Sequence, residues 1–96
     1  MGLYISLVNW TDQGIRSIKD SPARLDGARQ LAKKYGCEMT HFFMTIGAYD
    51  MVAMLEAPDD ESAAKFSLAL GSSGSVRTTT LKAFSEDSYR KIIGGL

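Results

Sequence analysis

Six residues of this chain carry side chains suited to orienting or acting on a small molecule: Asn9, Trp10, His41, Tyr49, Asp50 and Arg77. They include two adjacent pairs, Asn9-Trp10 and Tyr49-Asp50, with His41 and Arg77 standing alone. An indole gives a flat ligand a wall to stack on. An imidazole exchanges a proton near neutral pH. Arginine and aspartate hold polar groups through charge-assisted hydrogen bonds. Together the set reads as a ligand-binding group. Asn9, Trp10 and His41 on a single cavity would instead suit an enzyme site. Each residue also has a plainer role. Gly47 would supply positive φ in a tight hairpin, with Asp50 accepting backbone N–H bonds near the turn and Tyr49 packing its ring. Trp10 would serve as a core or interface aromatic. His41, the only histidine, reads first as a hydrogen-bonded interior residue.

Other chemistries lack their residues. A metal centre needs three or four His, Cys, Asp or Glu ligands, and no such spacing occurs. Cys37 is the single cysteine, so no internal disulfide forms, and it reads as a buried thiol. GSSGSVRT, 71–78, has the glycines and arginine of an anion site but not the Gly-Lys-Ser/Thr ending of a P-loop, and it reads as an exposed loop and a polar strand. No nucleophile elbow is present. Asp59, Asp60 and Glu61 read as helix-start charges. No cofactor is expected. Lys plus Arg balances Asp plus Glu, 11 against 11, which gives no electrostatic footprint for nucleic acid or an anionic membrane. MGLYIS formally fits an N-myristoylation pattern, but Leu3 to Val8 reads better as a strand. With no signal peptide and no apolar run of membrane-spanning length, a cytoplasmic protein is expected.

The elements that must position these residues follow from periodicity. LYISLVNW, 3–10, is rich in β-branched and aromatic residues and predicts a strand. Thr11-Asp12 opens a short helix over 12–19. Ser21-Pro22 opens a second, whose stripe is Leu25, Ala28, Leu31, Ala32 and Tyr35, with Gly36 as its stop. Strands are predicted over 37–46 and 49–56, joined at Gly47-Ala48. Asp59 caps a helix lined by Ala63, Phe66 and Leu70, and 71–74 is read as a loop. A fourth strand covers 76–84, and Ser85 caps a short final helix. With 96 residues, one domain over 1–96 is expected. The order βαββαβ plus a C-terminal helix is the α+β, ferredoxin-like split βαβ pattern, with a four-stranded antiparallel sheet.

Such a sheet carries helices on one face only, and its open face should alternate to polar. Here both rows of each of the first three strands are largely apolar. Met51, Ala53 and Leu55 alternate with Val52 and Met54; Phe42, Met44 and Ile46 with Met39, His41 and Phe43; Leu3, Ile5 and Leu7 with Tyr4, Val8 and Trp10. Burial is worth about 25 cal/mol per Å², so an open face of several hundred Å² favours a partner. Two copies meeting sheet to sheet across a two-fold axis satisfy this.

SLVNWTDQGI (6–15), KDSPARLD (19–26), IGAYD (46–50), EAPDDESAAKF (56–66), LGSSGSVRTTTL (70–81) and AFSEDSYRKII (83–93) together resemble the GYD domain family. Its signature appears as Gly47, Tyr49 and Asp50, and Ala48 departs from the larger polar residue expected there. The resemblance implies a dimeric α+β barrel, and the family has no assigned activity. Barrels of that type include cofactor-free monooxygenases and haem-handling enzymes that use Asn, Trp and His or Arg, so the resemblance leaves as the alternative an enzyme of that kind built on Asn9, Trp10 and His41. The G-x-YD hairpin and the strand with Val76, Thr79 and Leu81 also resemble, more loosely, the effector domains of leucine-responsive transcription regulators, which bind metabolites at subunit junctions. The reading is therefore a small-molecule-binding and oligomerisation module without catalysis of its own. Its expected partners are itself, as a homodimer or larger assembly, and an unidentified small molecule, with no nucleic acid and no membrane.

Overall fold

The extended, β-branched start of the chain becomes β1, Gly2–Trp10, in a computed structural model that covers residues 1–96. Thr11 then turns the chain: its hydroxyl accepts from the N–H of Gly14 and caps the short helix α1, Asp12–Arg16. A 3₁₀ turn at Ile18–Asp20 leads into α2, Ser21–Lys34, with Pro22 at the helix start, where a missing N–H costs nothing. A break at Ser17 and the 3₁₀ turn replace the single helix expected over 12–19. Strands β2, Glu38–Met44, and β3, Met51–Ala57, follow as a hairpin. Asp59 caps α3, Asp60–Ser72, by accepting from Ser62 N–H at 2.7 Å. Strand β4 is Val76–Ala83, and Ser85 caps α4, Glu86–Gly94. The third helix continues through Gly71 and Ser72, so the loop read over 71–74 shrinks to 73–75. Small residues without a proline let the helix run on.

The sheet is antiparallel throughout, in the order β2-β3-β1-β4. This is the ferredoxin-like arrangement. One face carries Tyr4, Ser6, Val8, Met51, Ala53, Leu55 and Ala57, all buried beneath the helices. The core is small: Tyr4, Leu55, Ala57 and Cys37 meet Ala32 of α2 and Ala63 and Phe66 of α3. Leu55 is 1% exposed at its centre.

The other face brings together Phe43, Val52, Leu7 and Thr79 in one row across the four strands, and His41, Met54, Ile5 and Leu81 in the next. Charge appears only at the ends, with Glu38 opposite Glu56 at one and Arg77 opposite Asn9 at the other. The open face is thus apolar at its centre, as the alternation argument requires.

Two expectations about β2 need correction. The register shifts between Met39 and His41, so Met39 pairs with Leu55 and His41 with Met54. Met39 therefore lies on the helix face and His41 on the open face. A bulge adds one residue and reverses the alternation beyond it, which strict period-two counting misses. Ile46, placed in the strand by its apolarity, is 99% exposed in the loop beyond it. No helix is long and apolar enough to cross a membrane.

Candidate functional site

The Gly47-Tyr49-Asp50 signature lies in a six-residue loop, 45–50, and not in the tight two-residue hairpin expected. Gly47 does have positive φ, at 142°. The loop is held by backbone and short polar groups. Thr45 N–H donates to Asp50 O at 2.8 Å, and the Thr45 hydroxyl donates to Tyr49 O at 2.6 Å. Asp50 then ties this loop to β1. Its Oδ2 accepts from Trp10 N–H at 3.0 Å. Its own N–H is shared between Val8 O at 2.9 Å and Asn9 Oδ1 at 3.1 Å. The Asn9 side chain thus accepts the Asp50 N–H and the Asp50 side chain accepts the Trp10 N–H, at the junction where β1 leaves the sheet. A longer loop must be anchored to something outside itself, and the end of β1 supplies one donor, Trp10 N–H, and two acceptors, Val8 O and Asn9 Oδ1.

Trp10 points to the helix side. Its indole Nε1–H donates to Ser21 Oγ at 3.3 Å, joining β1 to the first turn of α2. Ser21 is the first residue of the helix; the N-cap position belongs to Asp20, whose side chain makes no capping bond. Trp10 and Ser21 stand on the wall of a cleft between α2 and the sheet with a volume of about 670 Å³. That is within the range of small-molecule sites. Fifteen of its 22 lining residues are hydrophobic, among them Val8, Leu25, Leu31, Phe42, Met51 and Leu70. Arg24 is the only ionisable one. Sequence periodicity marks these residues as core and cannot show that α2 stands off the sheet.

The remaining candidates lie elsewhere. His41 is exposed on the open face, stacked on Phe43 with ring centroids 6.4 Å apart, and its Nδ1 lies 3.1 Å from Thr40 Oγ1. The interior role read for it gives way to a surface one. Arg77 shares the open face with Asn9, directly across the β1–β4 ladder. Trp10 and His41, on opposite faces, do not converge on one cavity. No group of three metal-ligating side chains occurs.

A second polar cluster has no signal in the sequence. The Tyr4 hydroxyl donates to Asp60 Oδ1, which also receives Lys82 Nζ at 2.9 Å. The hydrogen bond to the Asp60 carboxylate, with burial and the nearby charge, pushes the Tyr4 phenol up to about 12. The same bond from Tyr4, followed by Lys82, holds Asp60 below the usual carboxylate range. The three residues come from β1, the start of α3 and β4, far apart in sequence. This lock joins helix layer to sheet and leaves Tyr4 no free proton for acid–base work.

Comparison with known proteins agrees with this architecture. A family model described as GYD domain matches residues 4–93. A Thermus thermophilus protein described as a glutamine synthetase and cystathionine beta-lyase binding protein is 34% identical over 84 residues, covering 86% of this chain and 88% of its own. The crystal structure of a Thermus thermophilus protein superposes with a TM-score of 0.58 at 21% identity, covering 88% of this chain and 95% of that one. At that identity the likeness concerns the fold.

Proposed function

This chain belongs to the GYD domain family, and from that premise we propose that it is a binding module without catalysis of its own, which pairs with itself through the open sheet face and holds a small molecule in the helix-side cleft. The observation that carries the proposal is the unbroken apolar centre of the open face, Phe43-Val52-Leu7 beside Met54-Ile5-Leu81. Phe43 is 54% and Leu81 47% exposed in the single chain. A contiguous patch of this kind marks an interaction surface, and charge confined to its ends follows the usual pattern of apolar centre and polar rim. The self-complementary solution is a two-fold pair of sheets.

The six candidate residues then divide by surface. His41, Asn9 and Arg77 belong to the self-pairing face and its rim. Trp10 belongs to the cleft. Tyr49 and Asp50 fix the loop that sets the edge of both. The relative's description as a binding protein for two enzymes supports a further protein partner of that kind, engaged by surfaces left free in the dimer.

Sedimentation velocity at micromolar concentration tests the pairing. The expected result is a dimer that Ile5→Lys converts to a folded monomer, with its circular dichroism retained. A monomeric wild-type protein at that concentration would remove the reading's main support.

A further inference from the structure

The cleft between α2 and the sheet has a composition that specifies more than size. Its volume of about 670 Å³ is set among hydrophobic side chains, and no carboxylate is among its lining residues. Most of its polar side chains are already engaged, Ser73 Oγ among them, donating to Leu70 O at 2.8 Å. Trp10 Nε1–H is bonded to Ser21 Oγ at 3.3 Å, and Ser6 Oγ shares a 3.3 Å hydrogen bond with Thr80 Oγ1. No buried side-chain nitrogen or oxygen is left without a partner. An ordered interior water needs two to four polar partners, so an apolar cleft with its side-chain groups satisfied holds water poorly.

Arg24 is the exception. It is half-buried in the cleft wall. Two of its N–H groups donate to main-chain carbonyls, Nη1 to Ser17 O at 2.9 Å and Nη2 to Gly14 O at 3.1 Å. These bonds fix the guanidinium but give it no carboxylate partner. The three ion pairs of the molecule, Lys65–Glu61, Lys82–Asp60 and Arg90–Glu86, are all elsewhere. A guanidinium has five donors, so three remain for a ligand. A single fixed cation beside an otherwise neutral, apolar cleft selects for an apolar body with one negative head.

We propose that this cleft binds an amphipathic monocarboxylate, its apolar body between α2 and the sheet and its carboxylate on Arg24. This deepens the small-molecule half of the proposed function and rests on that half, but it is independent of self-pairing. Trp10 is the only tryptophan and lines the cleft, so its fluorescence reports occupancy directly.

The test is titration of the full chain with decanoate, decanol and decylamine, each below its aggregation threshold, with Trp10 emission as the readout. Decanoate should give a saturable blue shift at one molecule per chain. Decanol and decylamine should bind at least about tenfold more weakly, since a charge-assisted hydrogen bond of typical strength is worth about that factor or more. Arg24→Gln should weaken decanoate by the same factor and leave decanol unchanged, with circular dichroism confirming the fold. Ala28→Leu, which narrows the cleft from the α2 side, should weaken both. No saturable shift with decanoate in folded wild-type protein would overturn the proposal. So would equal affinities for the three probes, or an emission shift that follows protein concentration and ignores decanoate, which would mean that a second copy fills the cleft. Sedimentation of the same samples separates the two ideas, because a dimer that fails to bind decanoate sinks this proposal and spares the pairing.

Discussion

Asp50 shows how one short side chain holds a fold together at a distance. Its carboxylate accepts the N–H of Trp10 and its own N–H donates to Val8 O and Asn9 Oδ1, so the loop at 45–50 is tied to the end of β1. Asp50→Ala leaves the Trp10 N–H without this partner and should destabilise the chain by about 1–3 kcal/mol, read from the urea midpoint. The Tyr4–Asp60–Lys82 lock makes a second prediction at this scale. Asp59 and Asp60 are both held low, Asp59 chiefly by the Ser62 N–H and Asp60 chiefly by the Tyr4 hydroxyl. Groups depressed on folding contribute stability above their unfolded values near pH 4, and it is lost as pH falls through the folded ones. Tyr4 is raised, to about 12, so its contribution is intact below about pH 10 and is lost as pH rises toward 12. Urea midpoints against pH should therefore fall at both ends. Tyr4→Phe should flatten the alkaline limb and abolish an ultraviolet tyrosinate step near pH 12; an unchanged step would assign it to another tyrosine. Tyr4 and Asp60 were each legible alone, as a strand aromatic and a helix-start charge. Their pairing was not, because 56 residues separate them.

At the scale of elements, caps and close approaches decide where helices begin and how they seat. Asp59 caps α3 through Ser62 N–H, and Asp59→Ala should cost about 1 kcal/mol. Gly14 allows α1 to press on the loop before β4. A Cβ there would stand 2.0 Å from Ser75 O, and Thr11 N–H donates to the same carbonyl at 3.0 Å. Gly14→Ala must push the two segments apart, at about 1–3 kcal/mol. Thermal denaturation would check both, and a neutral Gly14→Ala would show that the contact yields easily. Helix α4 is a different case. Tyr89, Ile92 and Ile93 form a stripe at helical spacing, yet they are 57%, 49% and 51% exposed, and the helix has no substantial packing with any other element. So short a segment makes a poor helix in isolation, which fits one whose apolar side is covered within an assembly. The caps at Asp59 and Ser85 were readable because they are local. The bulge in β2 was not, because register is fixed by the neighbouring strand.

For the whole molecule, the consequence of scale is a thin core. A chain of 96 residues with 13 buried ones has little interior, and two apolar surfaces remain, the open sheet face and the α2 cleft, which borders the core at Leu55 and Phe66. The proposed pairing through the sheet would couple folding to association, so the melting temperature should rise with protein concentration. Differential scanning at two concentrations about a hundredfold apart checks this, and a constant melting temperature would count against sheet pairing. The cleft should respond independently, with decanoate raising stability at fixed protein concentration by mass action.

The order of strands and helices, the caps at Asp59 and Ser85 and the apolar character of both sheet faces were all written in the sequence, because propensity, capping and period-two alternation act over a few neighbouring residues. The chain alone left open which face each candidate residue takes. That His41 and Trp10 lie on opposite sides, that Asp50 belongs to β1 as much as to its own loop, and that α2 stands away from the sheet beside Arg24 were settled by tertiary structure. Register, bulges and interlayer gaps depend on contacts between segments distant along the chain, and no local pattern encodes them.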